Sequence, residues 1–375
     1  MPILRSLGKT CFAAAYSATR TVYGLTNRAM TSPSMPFIVC YHRVVENFVR
    51  SAATSIPSML ISVKMLERHI DWLAKRFAIV SLDDIGRHLQ TPGSFRRPLA
   101  AITFDDGYGD VYEHAMPLLQ RKGVPAAVFV VSDLVGTGKP QVFDRLYILL
   151  RTLQSGRLPL ATRIAPALRQ IGVTGLDTRT HVSTGNEALD VMTVLLNGLS
   201  RETVDRLIAE LEGRVAVSEQ ALKECTPLTW DMIDAMSRNG FTIGSHTRSH
   251  TLLTSETLEM AGQQLIQSKT AIESKLKAEV KHFAYPDGRF NPAVVESVHA
   301  AGYRFAYSIC GVRDSKFPLL TIPRTVLWER ASLNAWGGFS PAVMTCHVHG
   351  AFESQRRCAH DHSEMGLGEK NGTIN

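Results

Sequence analysis

The sequence has no Cys-x-x-Cys pair, no long hydrophobic run and no low-complexity tract. Its six cysteines are scattered over 375 residues, which argues against a zinc ribbon and against a dense disulfide framework. No apolar stretch reaches the roughly 18 residues that a membrane-spanning helix needs. Because 45% of the residues are hydrophobic, the chain can bury a large core, and we expect one large domain or one domain with an insertion.

The charge is only moderately positive, with 41 Lys and Arg against 34 Asp and Glu. Most basic residues are dispersed among acidic ones, so we expect no nucleic-acid partner. The first 45 residues, however, contain basic residues and no acid. We interpret residues 1–35 as a basic helical segment that packs on the domain or makes peripheral contact with anionic membrane lipid. We therefore expect a cytoplasmic or membrane-associated protein, with secretion left open.

Seven short apolar runs of β-type composition recur along the chain, and segments with helical spacing follow them. Alternating strands and helices predict an α/β fold with a parallel sheet and outer helices. Seven strands in this rhythm indicate a closed or nearly closed barrel, which carries its chemistry at the C-terminal ends of the strands. The runs are residues 36–42, 99–104, 126–131, 241–246, 281–286, 305–310 and 319–324.

One long stretch breaks this alternation. Residues from about 139 to 226 have helical patterns and no clear strand, so we interpret them as a helical insertion into a barrel that spans residues 36–350. Residues 351–375 are polar and lack periodicity, and we expect a disordered tail there.

Two neighbouring acids follow the second apolar run. Asp105 and Asp106 stand where a buried strand reaches the predicted catalytic edge, and Gly107 permits a turn. Adjacent carboxylates repel each other unless a cation neutralises one or a proton is shared, so we expect a metal nearby. The alternative is a solvated turn or helix cap, because Asp and Gly are ordinary turn residues.

Two histidines stand at and just after the end of the fourth apolar run. A spacing of four predicts that His246 and His250 lie on one face of a first helical turn, a geometry that chelates a divalent ion. The alternative is two unrelated surface histidines. Together with Asp106, the pair would form a set of two histidines and one carboxylate with open positions for water and substrate.

The segments TFDDG at 103–107 and HTRSH at 246–250 resemble the first two motifs of the polysaccharide deacetylases of the NodB-homology class, carbohydrate esterase family 4. The resemblance covers residues from about 36 to 325. It implies a distorted (β/α) barrel of about seven strands that removes acetyl groups from an N-acetylated sugar with the help of a bound metal.

The same resemblance implies a role for each motif residue. Asp105 would be the general base, while Asp106, His246 and His250 would hold the metal, for which zinc is expected and cobalt or nickel are alternatives. The chemistry agrees with this division, because an amide carbonyl is a poor electrophile that a metal must polarise. An unligated carboxylate then takes the proton of the attacking water.

Residues 282–291 resemble the third motif of the family, with Ala284 in place of its arginine. The motif implies that the Asp287 amide binds the oxyanion and that Tyr285 lies beside the substrate; the alternative is an ordinary Pro-Asp-Gly turn. Since Ala284 cannot orient the base, we predict that Arg324 does so. A surface arginine paired with any nearby acid is the alternative.

The last motif of the family places a histidine after an apolar strand, where it protonates the departing amine. Residues 342–350 match it best, which makes His347 the predicted general acid. The alternative is a partly exposed strand with alternating histidines that have no catalytic role. His42 ends the first run and is predicted to line the mouth and contact sugar, or else to be a core histidine.

These residues predict a metal-dependent hydrolase that removes N-acetyl groups from an amino-sugar oligo- or polysaccharide. A barrel that binds glycan without turnover is one alternative, since Ala284 and Asp287 depart from the family pattern. An esterase that uses the same metal site is another.

Overall fold

The computed structural model describes residues 7–18, 35–91, 95, 97–154, 158–176 and 185–352. The strands are β1 (Phe37–Tyr41), β2 (Arg43–Val45), β3 (Leu60–Ser62), β4 (Ala78–Ile79), β5 (Leu99–Phe104), β6 (Ala126–Val130), β7 (Phe241–Ser245), β8 (His282–Ala284), β9 (Phe305–Ser308), β10 (Ile322–Pro323) and β11 (Thr325–Val326). The helices are α1 (residues 7–18), α2 (Phe48–Ser51), α3 (Val63–Ala74), α4 (Leu82–Gln90), α5 (Met116–Lys122), α6 (Val142–Gln154), α7 (Leu160–Gln170), α8 (Glu187–Gly198), α9 (Arg201–Glu212), α10 (Glu219–Lys223), α11 (Trp230–Arg238), α12 (Leu258–Leu276), α13 (Pro292–Ala300) and α14 (Pro341–Val348).

The main sheet is parallel and nearly closed on itself. Its strand order is β10-β9-β8-β7-β6-β5-β1-β11, and β4 adds to the side of β5. The two ends of this path, β10 and β11, are separated in the chain only by Arg324. One short segment therefore pairs with β9 on one side and β1 on the other, which closes the predicted (β/α) barrel.

Alternate residues of the strands enter two different cores, as a sheet buried on both faces requires. Val39 and Ile102 pack outward under the surrounding helices, together with residues such as Leu66 of α3. Ile38 and Ala101 pack into the barrel interior, where α4 contributes apolar side chains. All seven predicted apolar runs contain strand residues, so the apolar pattern of the sequence correctly predicted where the barrel strands lie.

The chain between β6 and β7 forms the helices α6 to α11, with no strand among its described residues, and α6 to α10 make up the predicted insertion. These helices have a core of their own, built from leucines, isoleucines and valines of α6, α7, α8 and α9. The insertion therefore folds as a helical body that is attached to the barrel at the C-terminal end of β6.

Helix α1 packs against α14 near the end of the described chain. Ala13 is buried against Val343 and Cys346, and the Lys9 ammonium donates to the Ala331 carbonyl. Among the described residues, no helix is both long enough and apolar enough to cross a membrane. The rest of the predicted N-terminal segment, residues 1–6 and 19–34, and residues 353–375 of the predicted tail lie outside the described part.

The structure corrects two local expectations. Residues 341–348 form helix α14 rather than a strand, with Pro341 in its first turn and Ser340 capping it through the Val343 amide. Residues 246–250 form a turn rather than the start of a helix, and α12 begins only at Leu258.

Candidate active site

The four motif residues converge at the C-terminal end of the barrel. Asp105 and Asp106 directly follow β5, and His246 directly follows β7, while β6 lies between these two strands. Asp105, Asp106 and His246 are 4%, 3% and 2% exposed. Carboxylates buried this deeply require charged or hydrogen-bonding partners, and each has a different set.

Asp105 is paired with Arg324, the residue that we predicted to orient it. Two hydrogen bonds of 2.7 Å run from the two terminal guanidinium nitrogens to the two carboxylate oxygens. Arg324 also donates to the Thr103 hydroxyl at 3.1 Å. Burial raises the pKa of Asp105, but the Arg324 guanidinium together with the His246 and His42 imidazoles outweighs it, and the pKa falls below its ordinary value. The carboxylate is therefore ionised and held in one orientation.

The guanidinium is fixed by its surroundings as well. Arg324 stands between β10 and β11, where the barrel closes, and its side chain is fully buried. Its central carbon lies 5.2 Å from the ring centroid of Phe129 and 5.9 Å from that of Tyr307. These cation–π contacts within the barrel limit the rotation of the arginine.

Asp106 faces the two histidines of the second motif. Its Oδ1 atom lies 3.4 Å from Nε2 of His246 and 3.2 Å from Nε2 of His250. Nδ1 of His246 is 2.7 Å from the Ala284 carbonyl oxygen, which fixes the ring and directs Nε2 at Asp106. Although Ala284 lacks the side chain of the family motif, its carbonyl group orients a predicted ligand.

These contacts also shift the pKa values of the charged groups. Burial raises the pKa of Asp106, but the two facing imidazoles of His246 and His250 outweigh it and the pKa lies well below the ordinary value. Burial lowers the pKa of His246, and the neighbouring Asp106 and Asp105 more than reverse that effect, so it is raised. Asp106, aided by Asp105, thus places negative charge beside His246 that favours a cation there, whether a proton or a metal.

Both ligand loops use unusual backbone conformations. Asp106 has φ 69° and is followed by Gly107 at 68°, while Thr247 has 66° and His250 has 58°. Non-glycine residues adopt this left-handed region at a cost, and they persist there only where surrounding contacts impose it. At Gly107 a Cβ atom would meet Cγ1 of Val130 at 3.1 Å, so the turn also leaves little room for a side chain.

His42 and Cys40 form a second group of donors around Asp105. One ligand atom each of Cys40, His42 and Asp105 lie within 4.8 Å of one another. The Cys40 thiol donates to Oδ2 of Asp105 at 3.3 Å, and burial raises the pKa of this thiol. Nδ1 of His42 is buried without a hydrogen-bond partner. Sequence reasoning missed Cys40, although its alternation with Ile38 indicated an interior position.

The third-motif loop lies at the same edge of the barrel. Asp287 has φ 53° and its carboxylate accepts from Arg289 at 2.7 Å. Gly288 is required at its position, because a Cβ there would lie 2.7 Å from the Ile309 nitrogen. Tyr285 is 1% exposed and its hydroxyl donates to the Leu320 carbonyl. Its side chain is therefore part of the core beneath this loop and, contrary to our prediction, does not lie beside the substrate.

His347 lies in a different environment from the one we predicted. It is on α14, its Nε2 atom is 3.1 Å from the Ala331 carbonyl oxygen, and its ring packs edge-on against Phe352. It is near enough to buried His69 to lower the pKa of that residue. Among the described residues, the histidine that clusters with Asp105 is His42.

Comparisons with known proteins agree with this geometry. The family model for polysaccharide deacetylase matches residues 93–175 and 188–306, which is more than half of the chain. A poly-beta-1,6-N-acetyl-D-glucosamine N-deacetylase of Staphylococcus aureus is 30% identical over 104 residues, which are 26% of this chain and 36% of the relative. The chain thus spans about a third of the length of this curated relative.

A solved structure supports the fold independently. The Streptococcus pyogenes deacetylase PplD, determined in complex with acetate, superposes with a TM-score of 0.51 at 14% identity and covers 84% of this chain and 97% of that one. From the family match and the shared barrel, the chain belongs to the polysaccharide deacetylase family, whose members are hydrolases of N-acetyl amide bonds.

Proposed function

We propose that the protein removes N-acetyl groups from an amino-sugar oligo- or polysaccharide with the help of one divalent cation. The observation that carries this proposal is the division of labour between two adjacent buried carboxylates: Asp105 is bound by Arg324, and Asp106 faces His246 and His250. The activity of the S. aureus relative on an N-acetylglucosamine polymer supports the substrate class.

The residues around Asp106 fit a cation. The Oδ1 atom of Asp106 is buried without a hydrogen-bond partner, and Nε2 atoms of two histidines approach it. Because Nδ1 of His246 carries the proton that it donates to the Ala284 carbonyl group, Nε2 has the free lone pair that a metal needs. Two imidazoles and one carboxylate suit zinc, cobalt or nickel. When bound, such a cation polarises the acetyl carbonyl group and favours ionisation of water.

Asp105 is the base in this proposal. It cannot use the same lone pairs for a cation, because both carboxylate oxygens accept from Arg324. Its lowered pKa keeps it ionised at neutral pH, so it can accept a proton from the attacking water. The Asp287 amide, presented by the left-handed turn at 287–288, is our candidate donor to the oxyanion.

His42 replaces His347 as our candidate for the proton donor to the departing amine. One of its ring nitrogens belongs to the cluster with Asp105, and its Nδ1 atom has no hydrogen-bond partner. A histidine suits this step because it can carry a proton near neutral pH. His42→Ala should therefore slow release of the amine while metal content stays unchanged.

The test is acetate release from a panel of N-acetylglucosamine oligomers and bacterial glycans, measured with the purified protein after metal analysis. We expect one cation per chain, acetate release that chelation abolishes, and recovery when zinc or cobalt is restored. A variant with His246→Ala and His250→Ala should lose both metal and activity. Tight glycan binding without any acetate release would instead favour the binding barrel.

A further inference from the structure

The loop that carries Asp106 is held by the helical insertion. Residues 105–110 leave β5 through two successive left-handed residues, Asp106 and Gly107, and a loop in this conformation needs outside contacts to persist. The chain at the end of the insertion supplies main-chain contacts. The Leu228 amide donates to the Gly107 carbonyl at 2.8 Å, and the Gly109 amide donates to the Thr226 carbonyl at 2.9 Å.

Tyr108 ties the same loop to the first helix of the insertion. Its side chain is 1% exposed, and its hydroxyl donates to Oδ2 of Asp144 at 2.6 Å. Asp144 is near the start of α6 and is 2% exposed. A buried hydrogen bond this short, from the second residue after Asp106, restricts where the loop can lie.

A buried arginine completes the anchorage. The Arg43 guanidinium lies 5.3 Å from the Tyr108 ring centroid, and its Nε donates to Asp110 at 2.9 Å. Its Nη1 atom donates to Ser55 at 2.8 Å and lies 3.3 Å from the sulfur of Cys225, which follows α10. Arg43 is 2% exposed. Barrel, loop and insertion therefore share one buried polar network.

The same turn of α6 contacts the other predicted ligand loop. The ring of Phe143, adjacent to Asp144, lies edge-on to the His250 imidazole with the centroids 5.1 Å apart. One helix of the insertion thus touches the Asp106 loop through Asp144 and His250 through Phe143.

We propose that Tyr108, Asp144 and Phe143 are positioning residues that hold Asp106 and His250 in the cation-binding arrangement before the cation arrives. The insertion is then a working part of the metal site and not an appended body. The inference rests on the cation site of the proposed function, but it does not depend on the identity of the substrate.

The test compares cobalt affinity and the visible spectrum of the cobalt-loaded full-length protein among four single variants. Tyr108→Phe and Asp144→Val each remove the same hydrogen bond, and we expect each to weaken cobalt binding by about 10- to 100-fold and to change the cobalt spectrum. Asp144→Asn keeps an acceptor for Tyr108 and should stay within about threefold of wild type. Burial raises the pKa of Asp144 to about 7, so the neutral amide is a close substitute.

Arg145→Ala is the matched control. It lies on the same helix beside Asp144 but pairs with Glu212 at the surface, so its loss should leave cobalt binding and the spectrum unchanged. The double variant Tyr108→Phe, Asp144→Val should bind cobalt no more weakly than either single one, because both remove one interaction. Thermal unfolding of the metal-free proteins shows whether a variant is folded when its affinity is measured.

Cobalt affinities of Tyr108→Phe and Asp144→Val within twofold of wild type would overturn the inference. So would equal losses in Asp144→Asn and Asp144→Val, because the acceptor would then not matter. These results are separate from the proposed function: a protein that binds cobalt as expected but releases no acetate contradicts the deacetylase and leaves the positioning role intact.

Discussion

Asp105 and Asp106 are neighbours in the chain, yet their carboxylates have different partners. Because one faces a guanidinium and the other faces two imidazoles, replacing each by asparagine should damage the protein differently. Asp106→Asn removes a charged ligand and should lose the cation. Asp105→Asn should keep the cation and bind glycan while acetate release falls by about 10²- to 10⁴-fold, the usual contribution of a general base.

Metal content by elemental analysis and initial rates of acetate release measure the two effects separately. Loss of metal in both variants would contradict the assignment of Asp105 as an unligated base. Equal activity of Asp105→Asn and wild type would contradict the role of Asp105 in proton transfer.

Arg324 should control the base and not the cation. We expect Arg324→Ala to slow turnover by about 10- to 100-fold with unchanged metal content, since an outer partner of a reacting group is lost. Arg324→Lys keeps a positive charge but cannot bind both carboxylate oxygens as the guanidinium does. Its turnover should lie between that of wild type and that of Arg324→Ala.

The pH profile separates this role from a role in folding alone. In the folded protein Arg324 lowers the pKa of Asp105 against the opposing effect of burial. Without the guanidinium that pKa rises, so the acidic limb of the rate profile should move to higher pH in Arg324→Ala. An unmoved limb together with lost metal would indicate a purely structural arginine.

The residues of the site differ in how much the sequence revealed of them. Asp105, Asp106 and the histidine pair stand in two short motifs, and Arg324 follows a recognisable strand, so position alone indicated them. The proximity of Cys40 to Asp105 depends on the register of β1 against β5, where Cys40 pairs with Thr103, and a single sequence does not supply that register.

Elements were predictable where burial imposes a period. The seven strand runs are apolar on both faces, as parallel strands between helices and a barrel interior must be. The same reasoning failed at 342–350, because a short apolar run cannot by itself be told from a buried helix segment. Ser340 and Pro341 were the available start signals for α14.

The histidine pair illustrates a second limit at this scale. A four-residue spacing brings two side chains together on a helix, but here it does so in a turn whose Thr247 and His250 have positive φ. The turn is fixed by long-range contacts, since Gln264 of α12 accepts from the Arg248 and Ser249 amides. Such contacts are not visible in the local sequence.

Helix α3 carries a buried histidine that should make stability depend on pH. His69 accepts or donates through both ring nitrogens, with the Tyr41 hydroxyl at 2.9 Å and the Ser332 hydroxyl at 2.7 Å. Burial, aided by nearby His347, lowers its pKa to about 3. The unfolded chain binds a proton near pH 6.5, whereas the folded chain does not until about pH 3.

The free energy of unfolding should therefore fall as the pH drops from about 6.5 toward 3, by roughly a few kcal/mol from this residue. His69→Gln keeps hydrogen-bonding groups but does not titrate, so its stability should fall less steeply over that range. Urea unfolding at several pH values measures the slopes, with exposed His299→Gln as control. Parallel slopes for wild type and His69→Gln would contradict the prediction.

The whole molecule joins a nearly closed barrel to a helical body beside the active site. The cation donors come from the ends of β5 and β7, with β6 between them, and the insertion leaves the barrel after β6. The insertion therefore emerges between the two ligand loops and contacts both, through Tyr108 and through His250. This topology was not predictable from a helical pattern alone, because the pattern does not say where the helices pack.

A cation that joins these parts should stabilise the folded protein as a whole. A ligand that binds only the folded state adds about 2.7 kcal/mol at a hundredfold excess over its Kd, which corresponds to roughly 3 °C in Tm for a chain of this size. We expect zinc or cobalt to raise the Tm of wild type by this order at neutral pH. The shift should disappear as the pH falls toward about 5, because protons compete for the imidazoles that must be neutral to bind.

The control is the variant with His246→Ala and His250→Ala, whose Tm should not respond to either metal. Differential scanning calorimetry of both proteins with and without cation, at neutral and acidic pH, gives the four shifts directly. The raised pKa of His246 comes from Asp106 and Asp105, so protons and metal bind through the same negative charge. Without metal, protonation of His246 should therefore stabilise the folded wild type in acid, and the metal-free wild type should lose less stability there than the metal-free double variant. An equal metal-induced shift in the double variant would mean that the stabilising cation binds elsewhere.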